Sequence, residues 1–201
     1  MKMIKKILFW ILSTPFLLVT SIRNFLYNIG VIKSHQFNIP IISIGNLDLG
    51  GSGKTPSIEY LVRLLSNNYK VAVLSRGYGR KSTGFILADY NSDAGTIGDE
   101  SMQYYKKFKN IIVSVDSNRV RGINKLIKLN SKLEIVLLDD AYQHRKVKPG
   151  ISILLTKFND LYSDDNIFPL GNLRESKINA NRADIIIVTK CNSDINEDQK
   201  K

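Results

Sequence analysis

The chain has 201 residues, 43% hydrophobic, 9% aromatic and 23% charged, a composition that suits a globular domain with one sizeable core and excludes disordered and fibrous classes. Lysine and arginine number 29 against 18 acids, so the net charge of +11 favours anionic partners: a nucleotide, a nucleic acid, a phospholipid or a phosphorylated substrate. Because Cys191 is the single cysteine, an intramolecular disulfide is impossible, a secreted disulfide scaffold is excluded and a reducing cytosol fits.

The N-terminal segment is basic and apolar. Residues 1–40 carry five lysines and arginines and no acid, and Ile7–Ile22 is an uncharged apolar run of 16 residues. A signal peptide is disfavoured because Val19–Ile22 makes a poor cleavage site. A membrane-spanning helix is disfavoured because the run falls short of about 20 residues and contains Ser13–Pro15, which predicts a kink.

A helix on a membrane surface suits this segment best, since basic groups meet anionic headgroups while aromatic and aliphatic groups insert. We therefore expect residues 1–30 to contact a membrane, as a peripheral or monotopic element. An amphipathic helix that packs on its own domain is the alternative. The predicted organisation is an N-terminal membrane-associated segment at 1–38, a domain at 39–190 and a polar tail at 191–201.

Beyond this segment, short β-branched runs alternate with helical patterns, which predicts a parallel sheet flanked by helices and right-handed crossovers. Continuous apolar runs are typical of strands buried on both faces. The predicted strands are Ile39–Ile44, Val71–Ser75, Ile111–Val115, Glu134–Leu138, Ile151–Leu155 and Asp184–Thr189, and the predicted helices are 54–67, 98–108 and 116–130.

The strongest motif follows the first predicted strand, where Gly45 opens a glycine-rich loop that ends in Gly-Lys-Thr before a helix. In such a P-loop, backbone N–H groups and the helix N-terminus meet phosphates, the lysine reaches the β and γ phosphates and the threonine binds Mg²⁺. Asp48 stands where the strict motif requires glycine, so a glycine-rich turn is the alternative. The predicted phosphate-binding residues are Gly50, Gly51, Ser52, Gly53, Lys54 and Thr55.

A P-loop predicts a second element, an aspartate at the end of a neighbouring apolar strand that holds Mg²⁺ directly or through water. Asp139 and Asp140 directly follow the apolar run Ile135–Leu138. Two acids after a strand are more often a turn or a helix cap, but their pairing with Gly-Lys-Thr favours a metal site. Gln143, His144 and Arg145 follow at once and place a hydrogen-bonding and cationic group beside the metal. An isolated His-Arg pair is usually only a solvated loop.

Two further clusters follow predicted strands, where an open parallel sheet builds its binding site. Ser75–Arg80 offers two guanidinium groups and a tyrosine, although a basic surface turn explains the same spacing. Gly98–Glu100 opens a predicted helix, where Asp99 would ordinarily be a cap. The functional interpretation makes Asp99 a general base that accepts a hydroxyl proton during phosphoryl transfer.

Five segments stand in the order seen in the tetraacyldisaccharide 4'-kinases: Gly50–Pro56, Ser75–Gly79, Gly98–Glu100, Leu138–Arg145 and Pro169–Glu175. The chain resembles that family from about Arg23 to Lys190. The family begins its loop with Gly-Asn and has no glycine at the position of Asp48. The resemblance implies a P-loop NTPase-like α/β kinase that uses ATP and Mg²⁺. Its acceptor would be the 4'-hydroxyl of tetraacyldisaccharide 1-phosphate, a lipid A precursor.

The resemblance also implies residue roles. Asp99 would be the catalytic base, and Arg174 and Glu175 would lie near the phosphates. The predicted catalytic residues are Asp99, Lys54, Asp139, Asp140, His144, Arg174 and Glu175, and the predicted metal ligands are Thr55, Asp139 and Asp140. The N-terminal segment would be the family's membrane-associated helix, at the cytoplasmic face of the bacterial inner membrane.

One departure bears on activity. Family members continue into a second lobe that supplies a histidine partner for the catalytic aspartate, whereas this sequence has only His35 and His144. An incomplete kinase that binds nucleotide without turnover is therefore one alternative. A GTPase-like switch is another, because Thr189–Asn192 follows a strand where a guanine-specificity motif could lie. No interleaved aromatic and basic platform supports nucleic-acid binding.

Overall fold

The computed structural model describes residues 2–192, and the side chains of residues 9–192. The helices are α1 (Lys2–Asn28), α2 (Lys54–Leu65), α3 (Ala94–Ile97), α4 (Asp99–Lys107) and α5 (Arg119–Leu129), with a 3₁₀ helix at Lys177–Arg182. The strands are β1 (Ile41–Asn46), β2 (Val71–Ser75), β3 (Ile86–Leu87), β4 (Ile112–Val115), β5 (Ile135–Leu138), β6 (Ile151–Lys157) and β7 (Ile185–Thr189).

The strands form a sheet in the order β3-β4-β2-β5-β1-β6-β7. Strand β2 pairs in parallel with both β4 and β5, and β1 pairs in parallel with β5. The predicted α/β fold, a parallel sheet with helices in the crossovers, is confirmed for these strands. The apolar side chains of β2 and β5 are buried, which explains the continuous apolar runs there. The apolar run Ile185–Val188 of β7 is exposed, so the expectation that it is buried on both faces is wrong.

Two features were absent from the sequence prediction. Strand β3 joins the edge of the sheet antiparallel to β4, so the predicted parallel sheet carries one antiparallel edge strand. It is two residues long, which is too short to leave a periodic pattern in the sequence. Helix α3 is one turn, and it is capped by Asp93, whose side chain accepts a hydrogen bond from the backbone of Thr96.

The chain divides into two compact units made of non-contiguous segments. The larger unit comprises Lys33–Gly45 and Lys54–Ile153, and the smaller unit comprises Met1–Ile32, Asn46–Gly53 and Leu154–Lys201. The predicted boundary after residue 38 stays a prediction. The predicted polar tail lies outside the described residues except for Cys191 and Asn192.

The core of the larger unit packs α5 on the sheet. Ile123 and Leu126 of α5 share one buried cluster with Leu74 of β2 and Leu138 of β5. The contact is close at Gly122, where an added Cβ would lie 2.8 Å from a methyl group of Leu74. One face of α5 is thereby committed to the core, and the opposite face is left to carry polar residues.

Helix α1, in the smaller unit, is buried on its polar side. Ser13 and Asn24 are buried, whereas Trp10 and Val19 are 64% and 67% exposed. The hydroxyl of Ser13 donates to the carbonyl of Ile167 at 3.1 Å, so a polar side chain docks the helix. Phe16 also packs against Phe168, with ring centroids 6.4 Å apart, so the alternative of an amphipathic helix that packs on its own domain stays a prediction.

The length argument against a membrane-spanning helix does not hold for α1. Helix α1 has 27 residues, and Pro15 lies inside it without ending it. Phe9–Asn28, 20 residues with a mean hydropathy of 1.3, is long and apolar enough to cross a membrane by length and composition. The helix continues past Ile22 through Arg23 and Asn24 to Asn28, beyond the apolar run.

Replacing Gly45 of β1 with alanine is expected to destabilise the fold. The added Cβ would lie 2.7 Å from the Cβ and 2.8 Å from the backbone nitrogen of Tyr142, which is buried. We expect a loss of about 1–3 kcal/mol in the free energy of unfolding, measured by urea denaturation. Gly51→Ala is the matched control, because nothing lies within 4 Å of a Cβ there. Equal denaturation midpoints for the two variants would contradict the close approach.

Candidate active site

Lys54 and Asp140 meet at the carboxyl end of the parallel strands of the larger unit. Lys54 is the first residue of α2, and its Nζ lies 3.5 Å from Oδ1 of Asp140. Asp140 directly follows Asp139 after β5 and has a φ of 47°, an uncommon backbone conformation for a residue with a side chain. The structure thus brings together the lysine and an aspartate that the sequence predicted as one site.

Asp139 is buried beside this pair. The hydroxyl of Tyr104 donates to its Oδ2 at 3.0 Å, and a guanidinium nitrogen of Arg119 donates to its backbone carbonyl at 3.1 Å. The Tyr104 side chain also lies near enough to that of Thr55 to interact with it. A single buried tyrosine therefore links the predicted metal ligand of the P-loop to the predicted metal ligand after β5.

Burial sets the ionisation of these groups. It raises the pKa of Asp139 to about 7, with the negative charge of Glu100 adding to the shift. Burial lowers the pKa of Arg119 to about 10, against the attraction of Asp139 and Asp140. It also raises the pKa of Tyr104, so this phenol stays protonated and remains a hydrogen-bond donor to the carboxylate.

Helices α2 and α4 are tied together by one buried carboxylate. Glu59 of α2 accepts a hydrogen bond from the side-chain amide of Gln103 at 2.8 Å and pairs with the ammonium of Lys107. Burial opposes ionisation of Glu59, but the bonds from Lys107 and Gln103 hold its pKa below the usual value. The pairing holds the helix that begins at Lys54 against the helix that begins at Asp99.

The Ser75–Arg80 loop and the start of α4 meet at Gly98. A Cβ on Gly98 would lie 2.7 Å from the carbonyl oxygen of Tyr78, and the φ of Gly98 is +84°, so only glycine fits there. The hydroxyls of Ser75 and Ser101 lie 2.6 Å apart and hold the end of β2 to the same helix. Two sequence clusters predicted separately are therefore one structural feature.

Asp99 is the first residue of α4 and is exposed. The cap position belongs to Gly98, which makes no side-chain capping bond, so the interpretation of Asp99 as a helix cap is wrong. Its charge lies close enough to that of Glu100 to raise the pKa of Glu100, after the larger effect of desolvation. An uncommitted carboxylate at this position is available to a ligand, as a general base requires.

The glycine-rich loop of the smaller unit is braced by polar groups. The side-chain amide of Asn46 donates to Asp48 and, at 2.9 Å, to the carbonyl of Gly50. The Nζ of Lys157 lies 3.3 Å from Oδ2 of Asp48. The aspartate that departs from the strict motif is therefore buried and paired, and it shapes the loop where the motif has a glycine.

The far side of this loop is held by β7. The hydroxyl of Thr189 donates to the carbonyl of Ser52 at 2.8 Å, and Gly53 has a φ of +84°. These restraints fix the loop as it leads to the first turn of α2, whose N–H groups and dipole favour an anion.

The other predicted catalytic residues, Glu175, Arg174 and His144, lie in different local environments. Glu175 is fully buried in the smaller unit, where it accepts hydrogen bonds from Asn24 at 2.6 Å and from Arg182 at 2.8 Å, and so anchors α1. The backbone nitrogen of Arg174 donates to the carbonyl of Leu47 at 2.7 Å, beside the loop. Partly buried His144 lies in the turn after Asp140. Their catalytic roles stay predictions.

The carboxylates of the larger unit suit a Mg²⁺ ion that also binds phosphate and water. Oδ1 of Asp139 is buried and has no hydrogen-bond partner within residues 2–192, so it can accept a cation. No three His, Cys, Asp or Glu side chains of this described part form a cluster that could hold a metal. Mg²⁺ commonly needs only one or two carboxylates beside phosphate oxygens and waters, so the residues present fit it.

Sequence analysis missed Tyr104 and Arg119. Both lie on helices and were counted only as parts of helical patterns. The signal that could have found Arg119 is its place on the core-facing side of α5, where an unpaired cation would be costly.

Comparison with known proteins finds a family and several relatives that resemble this chain. Residues 5–201 match the family described as LpxK, tetraacyldisaccharide-1-P 4'-kinase. A relative named tetraacyldisaccharide 4'-kinase from Flavobacterium johnsoniae is 55% identical over 204 residues, covering 100% of this chain and 58% of the relative. Another of that name from Flavobacterium psychrophilum is 62% identical over 179 residues, covering 89% and 52%. The chain spans about half the length of the curated relatives it matches.

A solved structure agrees with the fold. It is described as the "apo" form of LpxK from Aquifex aeolicus in complex with ATP, at 2.2 Å resolution. The TM-score is 0.83 and the identity 36%, over 89% of this chain and 57% of that one.

Replacing Asp139 with asparagine is expected to change how stability depends on pH. A carboxyl whose folded pKa is raised from 3.8 to about 7 is most favourable at low pH, and its contribution is lost as the pH rises towards 7. Asp139→Asn removes this titration and keeps an acceptor for Tyr104. Its stability relative to the parent should therefore grow by about 2 kcal/mol between about pH 5 and pH 7, measured by urea denaturation.

The control is Asp164→Asn, which removes an exposed carboxylate. Parallel stability curves for the parent and Asp139→Asn across this range would show that burial does not hold Asp139 protonated.

Proposed function

The chain belongs to the tetraacyldisaccharide-1-P 4'-kinase family, and we propose that its site transfers the γ-phosphate of ATP to the 4'-hydroxyl of tetraacyldisaccharide 1-phosphate in lipid A biosynthesis. The relatives carry that activity in their names, and the related LpxK structure is of a complex with ATP. The observation that carries the proposal is the convergence of Lys54, Asp139 and Asp140 at the ends of α2 and β5 in the larger unit.

Each group has a physical task in such a transfer. Lys54 is held near Asp140 at the start of α2, from where its ammonium can neutralise charge on the transferring phosphoryl group. Tyr104 orients Asp139 and Thr55, so their oxygens keep fixed positions. Asp99 is exposed at the start of α4 and would accept the proton of the attacking hydroxyl.

Mg²⁺, when bound by Thr55, Asp139 and Asp140, would neutralise phosphate charge and align the phosphates. The chain's own contribution is positioning. Glu59 holds α2 against α4, and Gly98 fixes the point at which α4 begins. Such preorganisation supplies most of the catalysis in phosphoryl transfer, where the protein has little covalent chemistry to perform.

We also propose that α1 lies on the cytoplasmic face of the bacterial inner membrane, as a peripheral or monotopic element. Its buried polar side chains and exposed Trp10 and Val19 support this, because a helix docked through Ser13 and Asn24 presents its apolar side outward. Insertion of that side into the interface would bring the kinase to a substrate whose acyl chains stay in the bilayer.

Lys54→Ala and Asp99→Asn should separate nucleotide binding from proton transfer. The assay is phosphoryl transfer from Mg·ATP to tetraacyldisaccharide 1-phosphate in mixed micelles, beside ATP binding by calorimetry. Lys54→Ala should weaken both, whereas Asp99→Asn should lower kcat by about 10²–10⁴ and leave ATP affinity unchanged. Lys132→Ala and Asp164→Asn are matched exposed controls that should retain parent rates.

Two results would decide against parts of this proposal. Unchanged turnover in Lys54→Ala would exclude the P-loop assignment. ATP binding that Lys54→Ala abolishes, without turnover in the parent chain, would favour a nucleotide-binding protein that lacks kinase activity.

Membrane association is tested by replacing the exposed apolar side chains. Trp10→Ser with Val19→Ser should reduce flotation with anionic vesicles by at least about tenfold, because two large apolar groups no longer insert. Tyr90→Ser is the control, since Tyr90 is 89% exposed and lies in the larger unit. Equal flotation of all three proteins would contradict insertion of this face.

A further inference from the structure

A basic groove lies on the outward face of α5 in the larger unit. It encloses about 550 Å³, and its charged and polar walls include His35, Arg121, Asn124, Lys125, Lys128 and Lys146. No aspartate or glutamate is among the described residues that line it. The groove shares no residue with the proposed kinase site, and the inference drawn from it does not depend on that function.

One wall is a stripe along α5. Arg121, Lys125 and Lys128 are exposed and follow one another at spacings of four and three residues, which places them on one face of the helix. The opposite face holds Ile123 and Leu126 in the core, so the stripe cannot rotate away. Like charges at these spacings repel one another, and an anion between them relieves that repulsion.

The second wall is held by backbone hydrogen bonds. The backbone nitrogen of His35 donates to the carbonyl of Lys146 at 2.7 Å, and that of Lys148 donates to the carbonyl of His35 at 2.9 Å. The hydroxyl of Ser34 donates to the carbonyl of Arg145 at 2.6 Å. The segments that carry His35 and Lys146 are therefore fixed side by side. Their side chains line a wall whose backbone is restrained by hydrogen bonds.

Arg121 is oriented before any ligand arrives. Its Nε and one Nη each donate to Asp116 at 2.8 Å, and the Asp116 side chain is fully buried. Burial opposes the charge of Asp116, but Arg121 and a backbone bond from Asn118 hold its pKa low. Two of the five guanidinium N–H donors are thus used for positioning, and the others remain for a ligand.

From this arrangement we propose that the basic groove binds a phosphate ester. A phosphate group presents several acceptor oxygens, and lysine, arginine and asparagine donors arranged on two walls can meet them together. The volume lies in the range of small-molecule sites and exceeds that of a lone phosphate, so the phosphate is joined to an organic group of headgroup or sugar size. The source is either a soluble phosphate ester or the headgroup of an anionic phospholipid.

The test compares two double variants of the whole chain. Lys125→Gln with Lys128→Gln removes two charges from the groove, and Lys109→Gln with Lys132→Gln removes two exposed charges outside it. The soluble arm titrates sn-glycerol 3-phosphate by calorimetry and by NMR of the Asn124 side-chain amide. The lipid arm measures retention on vesicles of phosphatidylglycerol against phosphatidylcholine, and α1 is the same in every protein compared.

Either of two results supports the proposal. Saturable binding of glycerol phosphate that shifts the Asn124 amide, and is at least about tenfold weaker in the groove variant than in the control, identifies a soluble ligand. Retention on phosphatidylglycerol that falls only in the groove variant identifies a headgroup.

One result overturns it: groove and control variants that behave alike in both arms, with no shift at Asn124 in the parent. Thermal unfolding checks that both variants fold, and if a variant does not, the Asn124 measurement on the parent still tests the soluble arm and retention of the parent on phosphatidylglycerol against phosphatidylcholine still tests the lipid arm.

Discussion

The site depends on a carboxylate that the interior disfavours. Asp139 is buried at the end of β5, and its charged form is tolerated only because Tyr104 donates to one oxygen and Lys54 lies nearby. Arg119 restrains the same residue through its backbone carbonyl. Buried polar groups of this kind are costly unless satisfied, so the helices that supply these partners must dock correctly before the carboxylate is stable. The requirement couples the packing of α4 and α5 to the chemistry of the strand end.

Much of the fold could be predicted because its signals are local. Apolar runs marked the six longer strands to within about two residues, although β7 is exposed and not buried on both faces. The P-loop and the paired aspartates were recognisable because their chemistry fixes residue types at short spacings, and Lys54 and Asp140 do meet. Other segments, such as Ser75–Arg80 and Gly98–Glu100, could each have been an ordinary turn or helix cap. Only their common order in one family indicated that they belong to a site.

The rest depends on contacts between distant parts of the chain, which a residue pattern does not carry. Tyr104 looked like any aromatic residue of a helix, and only packing shows that it joins Thr55 to Asp139. The hydropathy of α1 marked it as apolar, but hydropathy does not tell which side faces the protein. That side is decided by partners such as Glu175, which lies 151 residues from the asparagine it binds.

The junction at Gly98 has a consequence for sequence divergence. Gly98 touches the backbone of Tyr78, whose own side chain is 85% exposed. Sequence drift at position 78 can therefore change the chemistry of the loop freely, since no neighbour restrains that ring. Drift at position 98 is forbidden by both clearance and φ. The loop therefore joins a position that tolerates other side chains to one that admits only glycine, so a substitution at position 78 can alter what the loop contacts without moving the start of the helix that carries Asp99.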